Sequence, residues 1–250
     1  MNQKSTLIII PHYGSDDLLT GLLSSLVVEW EGALGSRREV VIPFAWGEIY
    51  VVNNNLENRG FTRGCNEGIK YALAQDFRTV WLLNNDTVVP DVGAAVRDFL
   101  CELDLHPKTG VIGAKILSLT NPDFIHHGGT TAVFPGGLHK HGFVSKGDLA
   151  TRTRERWVTG ASFVISRECL VHVGLLDEQF FNYASDSDYC YRARAAGFDV
   201  IYLPVPILHA IGESAHPSPM QLEVLRSDMT HFEKKWITGR LFAELEKDVL

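Results

Sequence analysis

Val80-Trp81-Leu82-Leu83-Asn84-Asn85-Asp86 is an apolar run that ends in two amides and a carboxylate. Four apolar residues without alternation read as a strand buried on both faces, as in parallel sheets. An acid at the end of such a strand is costly, because a buried carboxylate needs a partner or a cation. It is well placed for a ligand, since open α/β sheets bind at the carboxyl ends of their strands. A second acidic station, Asp186-Ser187-Asp188, follows Phe180-Phe181-Asn182-Tyr183. A hundred residues of sequence separate Asp86 from Asp186, so only a fold can bring them together.

On either side of the first station the pattern alternates strands with helices. Thr6 to Ile10 reads as another buried strand, with Pro11-His12-Tyr13-Gly14 as a turn. Ser15-Asp16-Asp17 then starts a helix carrying Leu18, Leu19, Leu22, Leu23, Leu26 and Val27. Glu39 to Ile42 and Ile49 to Val52 are short strands, Arg63 to Ala74 a helix, and Thr79 to Leu83 a central strand. Pro90 opens a helix in its first turn, and Val111 to Leu117 is a strand. This order predicts an α/β sandwich with a mostly parallel central sheet and helices on both faces.

Residues 118–154, rich in glycine, proline and histidine, read as loops and hairpins on an outer face. Trp157 to Ser166 reads as a strand, Arg167 to Val173 as a short helix, and Ser185 to Ala196 as a helix closed by Gly197. Phe198 to Leu203 is a strand, followed by a Pro204-Val205-Pro206 turn. In the tail, Leu222, Leu225, Met229, Phe232 and Trp236 recur at helical spacing, with Lys234, Lys235 and Arg240 nearby. That stripe packs on its own domain or a second subunit, or docks on a membrane surface. The division expected is 1–218 as the main domain and 219–250 as an amphipathic helix.

With 45% hydrophobic and 21% charged residues, the 250-residue chain reads as soluble and globular. A net charge of −7 argues against a nucleic-acid partner. No signal peptide or apolar span is apparent, and Cys65, Cys101, Cys169 and Cys190 are scattered. A cytoplasmic protein is expected, with peripheral contact at the inner face of the membrane as the alternative.

Each polar cluster has two readings. Asn84, Asn85 and Asp86 offer hard oxygen donors suited to Mg²⁺ or Mn²⁺, or they are a strand-to-helix turn. Asp186 is a general base, or it caps a helix together with Ser185. His209 is a metal or phosphate ligand, or a hydrogen-bonded structural residue. Asn58-Arg59-Gly60-Phe61 and Asn66-Glu67-Gly68 place glycines where backbone can approach a ligand, but match neither a Rossmann nor a P-loop pattern. His126, His127, His139 and His141 fit no compact zinc spacing and read as a solvated or substrate-facing loop.

Taken together and in order, these segments resemble the inverting family 2 glycosyltransferases of the GT-A fold, in particular the rhamnosyltransferase-like branch. The resemblance rests on Asn58 to Phe61 with Asn66 and Gly68, Leu83 to Asp86, Ile125 to Gly129, and Trp157 to Ala161. It continues through Gly174 to Arg192 to His209, Gly212 and Ser214. It implies a metal site at Asp86, with Asn84 beside it and His209 completing it, holding a nucleotide-diphospho-sugar through Mg²⁺ or Mn²⁺. It implies Asp186 as catalytic base, supported by Asp188 and Arg192. Nucleotide or donor contacts fall on Pro11, His12, Tyr13, Asn58, Gly60, Phe61, Asn66, Asn84 and Asn85. Trp157, Gly160, Ala161 and Tyr183 fall in the sugar and acceptor pocket.

The implied activity moves a sugar, rhamnose being one candidate, from a UDP- or dTDP-linked donor to a hydroxyl of a glycan or glycolipid in cell-surface polysaccharide synthesis. A catalytically silent sugar-nucleotide-binding scaffold and a nucleotidyltransferase are the rivals. Three departures stand out. The family's opening N-Y-N is Pro11-His12-Tyr13-Gly14 here, and its V-D-N-x-S is not recognisable, with Val40-Val41-Ile42-Pro43 near its expected place. Its E-D pair is Ser185-Asp186.

Overall fold

The computed structural model describes residues 5–26, 29–30, 34–130, 142–143, 149–210, 218–238 and 240–245. Val27, His139, His141, Gly212 and Ser214 lie outside the described residues. The chain begins β1 (Thr6–His12), α1 (Asp16–Ser25), β2 (Glu39–Phe44), β3 (Gly47–Asn53), α2 (Gly60–Ala74), β4 (Thr79–Leu83) and β5 (Thr87–Val88). It continues α3 (Val92–Leu105), β6 (Thr109–Ser118), β7 (Phe124–His127), β8 (Gly142–Phe143), β9 (Thr153–Arg154), β10 (Ser162–Ser166) and α4 (Arg167–Val173). Last come α5 (Ser185–Ala195), β11 (Asp199–His209), α6 (Pro219–Phe232), a π-helical turn (Glu233–Ile237) and α7 (Arg240–Leu245).

The sheet runs in the order β2-β3-β1-β4-β10-β6-β11-β5. Strands β3, β1, β4, β6 and β11 share one direction, with β2, β10 and β5 running against them. This is the mixed α/β fold with a mostly parallel central sheet that the sequence predicts. The pleat of β1 divides the core. Leu7 and Ile9 face α2 and α5, through Cys65, Ile69, Tyr189 and Cys190. Ile8 and Ile10 face α1 and α3, through Leu19, Leu22, Leu23, Val96 and Phe99. Trp81 of β4 crosses Phe99 edge-on at 5.1 Å and donates its indole N–H to Ser162 Oγ at 2.9 Å.

Several boundaries move for physical reasons. β1 continues through Pro11 because its pairing with β4 ends at Ile9, so the missing proline N–H leaves no ladder bond unmade. β11 runs through Pro204 and Pro206 rather than turning there: both prolines are exposed, and the pairing with β6 slips between Tyr202 and Pro206. α3 starts at Val92, capped by Asp91 Oδ1 on Ala94 N–H at 2.8 Å, so Pro90 precedes the cap. Trp157 to Ala161 is not part of β10, which begins at Ser162.

The tail's expected stripe divides. Phe232 and Trp236 are buried against Tyr191 of α5, with ring centroids 5.7 and 5.4 Å away. Leu222 and Leu225 stay exposed. Among the described residues no helix is long and apolar enough to cross a membrane.

Gly113 of β6 lies under Val158, where an added Cβ would come within 2.6 Å of Val158 Cγ1. The β-branched valine is stiff and fully buried, so it cannot yield cheaply. Gly113→Ala should cost about 1–3 kcal/mol. Thermal unfolding should show a Tm lower by about 2–4 °C for each kcal/mol, and an unchanged Tm would contradict this packing.

Candidate active site

β1, β3 and β4 run parallel and end side by side. Beyond their ends lies a cleft of ≈ 260 Å³ lined by Pro11, Tyr13, Asn54, Asn84, Asn85 and Asp86. Asn58, Gly60 and Phe61 close one side, and Phe181, Asn182 and Tyr183 another. A second hollow of ≈ 380 Å³ adjoins it, lined by Trp157, Gly160, Ala161 and Asp186. The two share Phe61, Asn84, Asn182 and Tyr183, so both acidic stations open onto one continuous surface.

Asp86 meets His209 because β5 pairs antiparallel with β11, setting Thr87 opposite His209. Ala210 N–H donates to Asp86 O at 3.0 Å, fixing the corner. His209 Nε2 then lies 2.9 Å from Asp86 Oδ1. The contact lacks hydrogen-bond alignment: Asp86 Oδ1 and His209 Nδ1 are buried atoms with no hydrogen-bond partner among the described residues. Asn84 Nδ2 is 3.4 Å from His209 Nε2. Among the described residues no group of three or more His, Cys, Asp or Glu side chains is placed to hold a metal ion. Asp86 and His209 could supply only part of a coordination shell. Mg²⁺ and Mn²⁺ take carboxylate and imidazole donors and complete their shells with water and substrate phosphate. The unpartnered Oδ1 fits an ion that arrives with a phosphate-bearing ligand.

Asp186 sits in the first turn of α5. Its Oδ2 accepts Gly160 N–H at 2.6 Å and its Oδ1 accepts Ser187 N–H at 2.7 Å. The expected cap role falls instead to Ala184, held at φ 61° without any side-chain cap. Burial raises the Asp186 carboxyl above its ordinary value, and hydrogen bonding from the N–H groups of Gly160, Ser187 and Asp186 itself and from the Ser187 side chain only partly opposes that. Gly160 is closely approached: a Cβ there would lie 3.2 Å from Phe61 Cζ and 3.3 Å from Asp186 Oδ2, so either neighbour would have to give by a few tenths of an ångström. The stations are linked by backbone: Asn84 N–H donates to Ala161 O at 3.2 Å, one residue beyond the β4–β10 register pair Leu83 and Ser162.

Most residues named from the sequence gather here, and four do not. His12 is fully buried, because alternation along the extended β1 turns Pro11 and Tyr13 to the cleft and His12 away from it. Its Nε2 lies 3.0 Å from Asp16 Oδ1 and its Nδ1 takes the amide of Asn85 at 2.9 Å, so it props Asn85 rather than touching a ligand. Asn66 is also fully buried. Its amide holds Leu176 O and Glu178 Oε1 at 2.9 and 3.0 Å, and its oxygen takes Leu176 N–H at 2.9 Å. Asp188 accepts from Arg192 Nε and Trp236 Nε1, each at 2.8 Å, and Arg192 also donates to Val173 O at 3.1 Å. These two tie α5 to the tail and to α4. Of the histidines in 118–154, His126 is half-buried in β7 and His127 is buried 5.5 Å from the Trp157 ring.

Sequence reasoning missed three contributors. The strand that follows β1 in parallel register is β3, not the antiparallel edge β2. Val52-Asn53-Asn54-Asn55 therefore stands where Val40 to Pro43 was expected. Asn54 lines the cleft with its Oδ1 buried and unbonded among the described residues, while its amide holds Gly60 O at 3.1 Å. Asn55 brackets Gly14, accepting its N–H at 2.8 Å and donating to its carbonyl at 2.9 Å. The third contributor is α6, which brings Met220, Gln221 and Val224 to the first hollow and Leu225 and Met229 to the second. The stripe is expected to pack on its own domain or a second subunit, or to dock on a membrane; its Leu225 and Met229 line the second hollow instead.

Comparison with known proteins adds to this geometry. The family described as "Glycosyltransferase like family 2" matches residues 6–231. The uncharacterized protein y4gI of Sinorhizobium fredii (strain NBRC 101917 / NGR234) is 30% identical over 247 residues, which is 90% of this chain and 25% of that protein. The dTDP-rhamnosyl transferase RfbF of Shigella flexneri is 22% identical over 159 residues, 63% of this chain and 51% of that one. The chain thus spans a quarter to a half of the length of these relatives. Among solved structures, GalNAc-T7 with UDP, GalNAc and Mn²⁺ superposes with a TM-score of 0.62 at 14% identity, over 94% of this chain and 49% of that chain. At that identity the likeness concerns the fold, which matches the GT-A type.

Asn66→Ala should lower stability by about 1–3 kcal/mol, because Leu176 N–H and O lose their buried partner. The Tm increment given by a nucleotide ligand should persist. Loss of that increment with Tm intact would return Asn66 to the binding surface.

Proposed function

Because the chain belongs to the glycosyltransferase-like family 2, we propose that it is an inverting transferase acting on a nucleotide-diphospho-sugar. The observation that carries this reading is the shared cleft. Asp86 with His209 and the half-buried Asp186 flank the same four residues, Phe61, Asn84, Asn182 and Tyr183. In this reading the nucleotide lies against Pro11, Tyr13 and Asn54, where the unbonded Asn54 Oδ1 offers an acceptor to a ligand N–H or O–H. Asn58, Gly60, Phe61 and Asn85 line the donor side, and Trp157, Gly160, Ala161 and Tyr183 the sugar and acceptor side. The resemblance to a dTDP-rhamnosyl transferase makes dTDP-rhamnose the first donor to try, with UDP-sugars next. The acceptor is a hydroxyl of a glycan or glycolipid.

Asp86 and His209 would hold a divalent ion, Mg²⁺ or Mn²⁺, which would neutralise charge on the leaving diphosphate. Asp186 acts on the other side of the sugar. Its Oδ2 accepts Gly160 N–H and its Oδ1 accepts Ser187 N–H, and the carboxylate lines the second hollow, where an incoming hydroxyl can meet it. The acceptor oxygen bonds to the anomeric carbon as its proton passes to Asp186. The bond from that carbon to the diphosphate oxygen breaks, and its electron pair leaves with the diphosphate. Burial makes Asp186 a stronger base than an ordinary aspartate, which suits proton removal near neutral pH. Attack from the face opposite the diphosphate inverts the anomeric centre.

Asp186→Asn should lower kcat by roughly 10²–10⁴, with donor binding retained in a thermal-shift assay. Wild-type turnover in that variant would remove Asp186 from the role. In the native enzyme the base works when deprotonated, so activity should fall as pH drops. The midpoint of that acid limb should lie above the ordinary aspartate value of 3.8. Chelation with EDTA should stop transfer and Mn²⁺ restore it, while Asp86→Ala should lose the ion-dependent part of donor binding. Indifference of both enzymes to chelation would discard the ion.

A further inference from the structure

A third carboxylate packs behind this site without lining it. Asp228 of α6 is only 1% exposed. Its Oδ1 accepts Phe181 N–H at 3.0 Å, and its Oδ2 accepts Asn182 and Tyr183 N–H at 2.9 and 2.8 Å. Three successive backbone donors thus converge on one buried side chain. The segment they belong to lines both hollows and leads through Ala184 into the first turn of α5, where Asp186 sits. Ala184 is left-handed, a conformation that costs a non-glycine residue of order 1 kcal/mol and persists only where its surroundings impose it. The neighbouring contacts impose it: Phe181 O takes Thr62 N–H at 3.3 Å on one side, and Asp228 holds the three amides on the other.

The brace is itself anchored. Lys235 Nζ reaches Asp177 Oδ2 at 2.6 Å and Asp188 Oδ1 at 2.8 Å, and Trp236 donates to the same Asp188 oxygen at 2.8 Å. The tail is therefore tied to α5 at Asp188 and to the loop before it at Asp177. Asp228 lies between the cleft-lining Leu225 and Met229 of its own helix.

We propose that Asp228 is a positioning residue: it holds the 181–183 backbone in the one conformation that presents Asp186 to the cleft, making the C-terminal segment part of the active site. The inference rests on the reading of Asp186 as the base. A carboxylate this far from water, shared by three N–H groups, leaves them unsatisfied when it is removed. The segment then relaxes, and Asp186 moves with it. Misplacement of a reacting group by about 1 Å costs on the order of 100-fold in rate. Relaxation also admits water to Asp186 and relieves the burial that raises its carboxyl. The thiols of Cys65 in α2 and Cys190 in α5 feel the Asp186 charge, and burial, the larger cause, pushes both up.

The test compares Asp228→Asn with Glu102→Gln. Glu102 is another buried carboxylate, bonded to Thr109 and Arg152 and absent from the linings of both hollows. Asp228→Asn should lower kcat roughly 10- to 100-fold with a smaller change in donor KM. Its acid limb should move down towards the ordinary aspartate range, and amide hydrogen exchange at 181–183 should speed up. Glu102→Gln should lower Tm and leave the acid limb and that exchange unchanged. Wild-type kcat and acid limb in Asp228→Asn, or unaltered protection at 181–183, would overturn the proposal. If no donor reacts with the wild-type enzyme, the transferase reading fails instead, and exchange at 181–183 alone decides the role of Asp228.

Discussion

A carboxylate stays inside a protein only where donors meet it, and the backbone N–H of Gly160 meets Asp186 at 2.6 Å. The rest of the site follows from that contact. Gly160 belongs to the turn before β10, and β10 runs antiparallel beside β4. The same turn that receives Asp186 therefore passes next to Asn84, through Ala161 O. Two stations a hundred residues apart in sequence become neighbours through one strand pairing and one backbone hydrogen bond. Residue 160 sits close against Phe61 and Asp186, and burial of Asp186 explains its raised affinity for a proton.

Carboxylates also organise the periphery. Asp177, Asp188 and Asp228 each bind more than one partner, and all three lie along the seam between the tail and the segment 177–188. Such networks are demanding, because a buried charge that loses its partner costs several kcal/mol. They also specify one arrangement where apolar contact alone would tolerate several. The tail adds the apolar contacts of Phe232 and Trp236 to this seam. It works as a wall of the cleft as well as a cover for the core, since α6 lines both hollows.

Much of this was legible in local sequence, and the remainder was not for definable reasons. Buried strands such as β1 and β4 declare themselves by uninterrupted apolar runs, and Ser15 caps α1 as its position suggests. Asp86, His209 and Asp186 could be picked out because polar residues at the ends of apolar runs are conspicuous. By contrast β5 is two residues long, and nothing local says that Thr87 will pair with His209. Pro204 and Pro206 read as a turn because a strand that tolerates them needs both to face solvent beside a bulge. Asn66 and His12 looked like binding residues because an amide or imidazole in the chain does not reveal which way it points. Asp228 had no signal at all, because a single acid on a helix otherwise read for its apolar stripe acquires meaning only from the amides of Phe181 to Tyr183.

In the proposed reaction the diphosphate departs at Asp86 and Asp186 accepts the proton, on opposite sides of one sugar. The anomeric configuration of the first product formed from a donor of known configuration, read by proton NMR coupling before mutarotation, tests this most directly. The account predicts complete inversion. A product that keeps the configuration of its donor would contradict it.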